Sequence, residues 1–151
     1  MQRCAELAAM SSTHDIPTIA GWWSGADLKL RADLDQFGPG QSLAAEQDAR
    51  ARDRSAMWRA FEAAGVVERG DVPEASAGDA VADAAMAFLA RSASQLALAP
   101  VEDVMGVTEQ PNLPGTIDEH PNWRRRYAPD ARRMLDHAQV RVEAFQRARP
   151  R

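Results

Sequence analysis

The residues best suited to chemistry are His14 and Asp15, which stand side by side near the start of the chain. They follow a small-residue run at 5–13, and Pro17 disfavours helical geometry at the residue before it. This pattern favours a strand that runs into a loop. Parallel α/β folds place their active sites at the carboxyl ends of strands, so an imidazole and a carboxylate here are candidates for catalysis or ligand binding. The alternative is structural: His14 caps a turn and Asp15 caps the backbone that follows.

Three other segments carry side chains that bind ligands in other proteins. A Trp-Trp pair at 22–23 could stack on sugar rings or fill a core. The prolines and glycine of 112–116 fix the backbone, which favours either a plain turn or a loop that presents amides or Asn112 to a ligand. Three arginines between aromatics at 123–127 could read single-stranded nucleic acid, or they could pair with the acidic residues of 102–119.

Composition narrows these choices. The chain has 151 residues, with 18 basic and 22 acidic side chains and a formal charge of −4. A mildly acidic chain is expected to bind nucleic acid poorly, since phosphate contacts need a net basic face. The single Cys4 excludes an internal disulfide and a cysteine-based metal cluster. No metal site is predicted, since no ligand spacing links the three histidines, His14, His120 and His137.

Membrane insertion and export are not expected from the sequence. No apolar run approaches the roughly 18 residues of a spanning helix, and the first residues show no signal-peptide pattern. A length of 151 residues is also too short for a complete (β/α)8 barrel, which needs about 200 residues at the least. We therefore expect a cytoplasmic chain with neither nucleic acid nor membrane as a partner.

Periodicity predicts a mostly helical chain with two short strands. The expected helices are 25–37, a helix capped by Ser42 that runs to about Ala64, 79–91, and Pro129 to about Arg147; the expected strands lie in 5–13 and 95–99, and 101–127 is expected to be irregular. The helix at 79–91 and the strand after it resemble one αβ unit of a parallel sheet. Because two parallel strands need neighbours and covered faces, the pattern indicates part of a larger fold.

Spacing also predicts which side chains are buried and which form pairs. The i,i+4 rule predicts Glu46–Arg50 and Asp48–Arg52 ion pairs on the second helix. The residues expected to be buried are Met57, Phe61 and Ala64; Val81, Ala85, Phe88 and Leu89; Leu96 and Leu98; and Ala131, Leu135, Ala138, Val142 and Phe145.

Three segments together resemble one enzyme family. Residues 11–23, SSTHDIPTIAGWW, resemble the STHDLPTxxGWW segment of the 4-α-glucanotransferases, or amylomaltases. Residues 102–116, EDVMGVTEQPNLPGT, and 117–126, IDEHPNWRRR, resemble the C-terminal signature of the same family, whose usual form is close to TEQxNxPGT followed by HPNWRR. The order of the segments along the chain also matches.

The resemblance implies a (β/α)8-barrel enzyme that transfers α-1,4-glucan segments between maltooligosaccharides or starch-type glucans. Such retaining transfer uses one carboxylate as nucleophile and a second carboxyl as acid/base. No segment of this chain resembles the motifs that carry those two groups, so the resemblance implies that the chain is inactive alone. No cofactor is implied, because transfer between sugars needs neither redox equivalents nor a nucleotide.

The resemblance also implies roles for individual residues. Asp15 corresponds to the family's third carboxylate, which stabilises the transition state, and His14 lies beside it at the end of the seventh barrel strand. Asn112 and Pro114 are implied to bind near the donor sugar, while Trp123 and the arginines after it are implied to pack the end of the barrel.

The implied organisation is a C-terminal fragment of the barrel, about strands 7 and 8 with their helices. Residues 1–127 belong to the catalytic barrel and 128–151 form a terminal helix that packs on it, with the missing N-terminal part of the barrel as partner. The alternative is a non-catalytic helical protein that derives from this family and binds glucan or a protein partner.

Overall fold

The computed structural model describes residues 7–127, 133 and 135–149, whose regular structure is mostly helical. The elements in chain order are β1 (Ala8–Met10), α1 (Ile19–Ser24), α2 (Ala26–Asp33), α3 (Leu43–Ala63), α4 (Gly78–Ala90), β2 (Leu96–Leu98), α5 (Val101–Met105), a 3₁₀ turn (Asp136–Ala138) and α6 (Gln139–Ala148). The predicted strands and the second and third predicted helices are therefore confirmed to within a few residues.

Strands β1 and β2 pair in parallel, with Ala8 opposite Leu96 and Met10 opposite Leu98. In the described part of the chain they form a two-stranded sheet, so each strand has one unpaired edge. The expectation that β2 is buried is wrong: Leu96 is 53% and Leu98 is 40% exposed. The reason is that a two-stranded sheet offers no neighbouring strand to cover these side chains.

The core lies between α1, α3 and α4. Trp23 is fully buried there and packs on Trp58, whose ring centroid is 6.1 Å away, and Phe61 and Val81 complete the contact. The Trp23 indole nitrogen donates to the Glu74 carbonyl at 3.0 Å. Core packing is thus the role of this tryptophan, since a large aromatic ring buries much apolar area.

Helix α1 was not predicted, and its position depends on a close approach of backbones. Its N-cap Thr18 accepts a hydrogen bond from the Gly21 N–H at 3.0 Å and donates to the Val107 carbonyl at 2.6 Å. A Cβ on Gly21 would lie 2.1 Å from the Thr108 carbonyl oxygen, so glycine allows α1 to dock against residues 107–108. This contact brings the segment after β1 against the segment after β2.

A buried ion pair joins α2 to α3. Arg50 forms two hydrogen bonds of 2.8 Å with Asp27 and donates to the Trp22 carbonyl, and its guanidinium carbon lies 4.5 Å from the Trp22 ring centroid. The predicted Glu46–Arg50 pair is therefore wrong, because packing turns Arg50 towards α2. The predicted Asp48–Arg52 pair is also not formed within the described chain.

Local signals set the ends of α3 as predicted. Ser42 caps its first turn by accepting from the Ala45 N–H at 3.2 Å, and Gly65 adopts a φ of 65° just beyond its last turn, where a left-handed residue ends many helices. Phe61 is buried as expected, whereas Ala64 is exposed because it lies at the C-cap.

Helix α4 buries Val81, Ala85 and Leu89 as predicted, but Phe88 is 43% exposed, so that part of the expected stripe is wrong. Phe88 contacts Phe61 only at the border of the core, at a centroid distance of 5.3 Å.

The last third of the chain differs from the predicted secondary structure at two points. Residues 101–127 are not wholly irregular, since they contain α5, which ends at Gly106 with a φ of 68°. The predicted helix from Pro129 begins outside the described residues, as does Ala131; within them the α-helix starts only at Gln139, after the 3₁₀ turn. Ala138 is buried, but Leu135 is 39% exposed, and Val142 and Phe145 are half-buried.

Candidate active-site segment

His14 and Asp15 occupy a tight turn between β1 and α1. The Ile16 N–H donates to the Thr13 carbonyl at 3.3 Å, and the Asp15 N–H approaches the Thr13 hydroxyl at 3.4 Å. His14 and Asp15 are therefore the two central residues of a turn. The sequence-based expectation of a strand that runs into a loop at this point is confirmed.

The Asp15 carboxylate meets two other candidate residues. Asn112 Nδ2 donates to Asp15 Oδ1 at 2.7 Å, and His14 Nε2 lies 3.2 Å from Asp15 Oδ2. Both partners of this carboxylate within the described residues are side chains, so the alternative in which Asp15 caps backbone is wrong. The side chains of His14 and Asp15 are 57% and 51% exposed, so the pair faces open solvent in this chain.

The side chain of Asn122 stabilises the loop that carries Asn112 through hydrogen bonds. Asn122 Oδ1 accepts from the Leu113 N–H at 2.8 Å, and Asn122 Nδ2 donates to the Thr116 hydroxyl at 2.8 Å. Leu113 is 5% exposed, which anchors the loop in the protein. The sequence analysis did not single out Asn122, although its place inside the HPNW motif was a signal. In an irregular loop without a regular hydrogen-bond ladder, the Asn122 side chain supplies a hydrogen-bond partner for the backbone.

Pro114 lies two residues beyond Asn112 and is exposed. Its carbonyl oxygen accepts a hydrogen bond of 3.3 Å from Gln36 Nε2, in the segment after α2. No hydrogen bond connects Pro114 to Asp15 in the described ranges. The structure thus brings together three of the four predicted site residues: His14, Asp15 and Asn112. Pro114 lies on the same loop as Asn112 but contacts Gln36 through its carbonyl oxygen.

Trp123 was expected to pack the end of the barrel, but here its ring lies against His14. The two ring centroids are 5.1 Å apart, and the indole is 64% exposed. Its φ is 59°, a left-handed conformation that is uncommon for a bulky residue and costs about 1–3 kcal/mol. The sequence could not show this contact, because the two residues lie far apart along the chain.

Two of the three arginines that follow Trp123 pair with acidic residues, as one of the two interpretations predicted. Arg124 lies 3.2 Å from Asp118, and Arg125 lies 3.0 Å from Glu109. The Arg125 hydrogen bond, above the other contributions, lowers the pKa of Glu109. Pairing with carboxylates thus accounts for two of these three guanidinium groups in the described chain.

An open cleft of about 470 Å³ lies next to the turn. Its lining includes His14, Trp123, Glu102, Arg125 and Tyr127. Aromatic faces beside carboxylate, imidazole and guanidinium groups suit a polyhydroxylated ligand, since aromatic rings cover apolar ring faces and the polar groups bind hydroxyls.

Tyr127 is expected to ionise at an unusually high pH. Burial, and then its hydrogen bond to Glu102 and the charge of that carboxylate, raise the pKa of Tyr127 from 10.0 to about 12. Because the folded chain keeps this proton between pH 10 and about 12 while the unfolded chain releases it, stability is lost as pH rises through that window. The chain has one tyrosine, so tyrosinate absorbance measures this group alone. Glu102→Gln should move the midpoint back towards 10.0, and a midpoint near 10.0 in the folded native chain would contradict the expectation.

Within the ranges that the structure describes, no group of three His, Cys, Asp or Glu side chains is placed to hold a metal ion. His120 is buried instead, with Nε2 3.1 Å from the Gln110 carbonyl. The helices of the described residues include none with the length and apolarity needed to cross a membrane.

Comparison with known proteins identifies the family. The family model of the 4-alpha-glucanotransferases matches residues 3–132 of this chain. The chain belongs to the 4-alpha-glucanotransferase family. The matched range contains His14, Asp15, Asn112 and Pro114, and it includes both strands and the first five helices.

The relatives are much longer than this chain. A 4-alpha-glucanotransferase of Mycobacterium tuberculosis (strain H37Rv) is 33% identical over 125 residues, which cover 82% of this chain and 17% of the relative. A 4-alpha-glucanotransferase of Haemophilus influenzae is 28% identical over 125 residues, covering 80% of this chain and 18% of the relative. The crystal structure of amylomaltase from Corynebacterium glutamicum superposes with a TM-score of 0.68 at 23% identity, over 81% of this chain and 18% of that one. The chain therefore has the fold of a part of that amylomaltase.

Proposed function

We propose that this chain is the C-terminal part of a 4-α-glucanotransferase barrel, with β1 and β2 as its seventh and eighth strands. The parallel pairing of β1 with β2, with one free edge on each strand, supports this assignment. The coverage of 17% of the tuberculosis relative supports the coarser statement that the chain is a part of such an enzyme. The assembled enzyme would transfer α-1,4-glucan segments between maltooligosaccharides or starch-type glucans, in the cytoplasm.

The proposed role of Asp15 is to stabilise the positive charge that develops on the sugar ring in the transition state. The observation that carries this proposal is the 2.7 Å hydrogen bond from Asn112 to Asp15, which joins the two signature segments at one carboxylate. A carboxylate held by neighbouring side chains can act on developing charge without reorganising. His14 and Asn112 would bind hydroxyls of the same sugar, and Pro114 would shape the donor side of the loop.

The two carboxyl groups of the retaining mechanism would come from the remainder of the barrel. They must stand about 5–5.5 Å apart, one as nucleophile and one as acid/base, and no segment here resembles theirs. The remainder would pack on the unpaired strand edges, where Met10, Leu96 and Leu98 are 47%, 53% and 40% exposed. Residues 1–127 would belong to the barrel and 128–151 to a terminal helix on its surface.

The test is disproportionation of maltotriose. We expect the chain alone to form neither glucose nor longer maltooligosaccharides, because covalent transfer needs both missing carboxyls. A chimaera in which the preceding part of the tuberculosis relative is joined to this chain should gain transfer activity, and Asp15→Asn should lower that activity about 100- to 1000-fold. Products formed by the chain alone, and abolished by Asp15→Asn, would overturn the assignment of the nucleophile to the remainder. A folded chimaera without transfer would overturn the proposed function.

A further inference from the structure

Asp103 is a buried carboxylate that the proposed chemistry does not use. It lies in the middle of α5 and is 0% exposed. Ser11 Oγ and Ser12 Oγ each donate to Asp103 Oδ2 at 2.6 Å, and the Ile19 N–H donates to Oδ1 at 2.7 Å. Hydrogen bonds of this length to a carboxylate are charge-assisted and stronger than neutral ones.

These three donors stand at the two ends of one loop. Ser11 and Ser12 directly follow β1, and Ile19 is the first residue of α1. The turn with His14 and Asp15 lies between them. One carboxylate therefore fixes both the entry and the exit of the loop that carries the candidate catalytic group.

The same element leads to the other half of the site. The chain after α5 runs through residues 107–108, where the Thr18 hydroxyl donates to the Val107 carbonyl at 2.6 Å, and then to Asn112. Helix α5 is also anchored to α6, since Arg141 Nη1 donates to the Val104 carbonyl at 2.8 Å. Asp103 thus sits on an anchored element between the Asp15 loop and the Asn112 loop.

We propose that Asp103 is a positioning residue: it holds the loop at 13–18 in the register at which Asp15 meets Asn112. A buried carboxyl group with no cationic partner among the described residues is an expensive way to stabilise a fold, and apolar residues of similar volume often serve as well. Three directional hydrogen bonds, however, specify one arrangement of a loop that has no regular structure of its own. The consequence for catalysis rests on the role proposed for Asp15, whereas the positioning itself does not.

The test measures the contact in the isotopically labelled 151-residue chain by NMR. The observable is the change that Asp15→Asn causes in the side-chain amide signals of Asn112. We expect a clear change in the native background, and less than half of it when Asp103 is replaced by Asn or when Ser11→Ala and Ser12→Ala are combined. The indole N–H signal of Trp23 reports whether the core is intact.

A matched control is Asp118→Asn, which removes a carboxylate that is 82% exposed on the neighbouring loop and should leave the change at Asn112 as it is. An undiminished change at Asn112 in both the Asp103 variant and the serine variant would overturn the proposal. Loss of the Trp23 signal in both variants would overturn it as well, since Asp103 would then hold the whole fold and not the loop. If only the Asp103 variant loses the Trp23 signal, the proposal is tested by the change at Asn112 in the serine variant.

Activity of the chimaera separates this inference from the proposed function. Asp103→Asn should lower kcat about 10- to 100-fold with KM nearly unchanged, since displacing a catalytic group by about 1 Å has effects of that size. In the Asp15→Asn background it should lower kcat no further, because it acts through Asp15. Additive losses would contradict positioning. An Asp15→Asn chimaera with native turnover would instead contradict the role of Asp15, and the NMR result would stand by itself.

Discussion

Replacing Asp15 by Asn will lower turnover of the assembled enzyme about 100- to 1000-fold, or about 3–4 kcal/mol, the usual effect of removing one preorganised electrostatic interaction. Asparagine keeps the shape of the side chain and an oxygen that can accept from Asn112 Nδ2, which lies 2.7 Å from the carboxylate. The substitution therefore removes the charge while the local geometry survives. Since positive charge develops on the ring only as the bond breaks, the loss should fall on kcat and leave apparent maltotriose affinity nearly unchanged.

The control for this prediction is Asp118→Asn in the same chimaera. Asp118 is 82% exposed and pairs with Arg124, so its neutralisation changes net charge equally but should not change turnover. Turnover, apparent affinity and melting temperature are measured on one preparation. A loss in turnover of less than about tenfold, ~1.4 kcal/mol on the transition-state scale, would contradict the proposed role of Asp15.

Breaking the buried Asp27–Arg50 pair will have the largest effect on stability. Their side chains are 6% and 10% exposed, and Asp27→Asn leaves the guanidinium buried beside Trp22 without its counter-charge. Removing one partner of a buried pair typically costs about 3–5 kcal/mol, a large part of the roughly 5–15 kcal/mol that stabilises a domain. The urea midpoint of the folded chain should fall accordingly, with an unchanged slope.

The matched control is Asp33→Asn, which breaks the exposed Lys29–Asp33 pair on the same helix, with side chains that are 74% and 61% exposed. Exposed i,i+4 pairs contribute about 0.3–0.5 kcal/mol, so this variant should unfold close to the native midpoint. Equal losses in the two variants would show that burial of the Asp27–Arg50 pair does not matter. Replacing both partners by apolar residues should recover much of the loss, since no charge then remains buried.

Elements with strong local signals were predictable, and those that depend on docking were not. Ser42 caps α3 through its own hydroxyl, so a short-range rule suffices. Helix α1 contains a glycine and two tryptophans and has little helical propensity; it forms because Trp23 is buried against α3 and α4. Helix α5 has five residues, too few for periodicity to reveal.

Pairing rules failed where burial competes with local geometry. The i,i+4 rule assigned Arg50 to Glu46, but Arg50 lies on the face of α3 that packs on α2, and Asp27 meets it with two hydrogen bonds of 2.8 Å. Similarly, Leu96 and Leu98 read as a buried strand, yet they are more than a third exposed because their neighbours are absent from the described sheet. An apolar sequence pattern predicts which side chains favour burial, but it does not show whether a neighbouring strand or helix is present to cover them.

The sequence by itself determined the family and the strand and cap positions that depend on near neighbours, and it singled out His14, Asp15 and Asn112 as candidate site residues. Only the tertiary structure decided that Asn112 reaches Asp15 across 97 positions of the chain, that Trp123 lies on His14, and that Asp103 binds both ends of the loop that carries Asp15. The physical reason is range. Caps and turns are fixed by hydrogen bonds within a few residues, whereas these contacts form only after β1 pairs with β2 and brings the ends of both strands to one edge of the sheet.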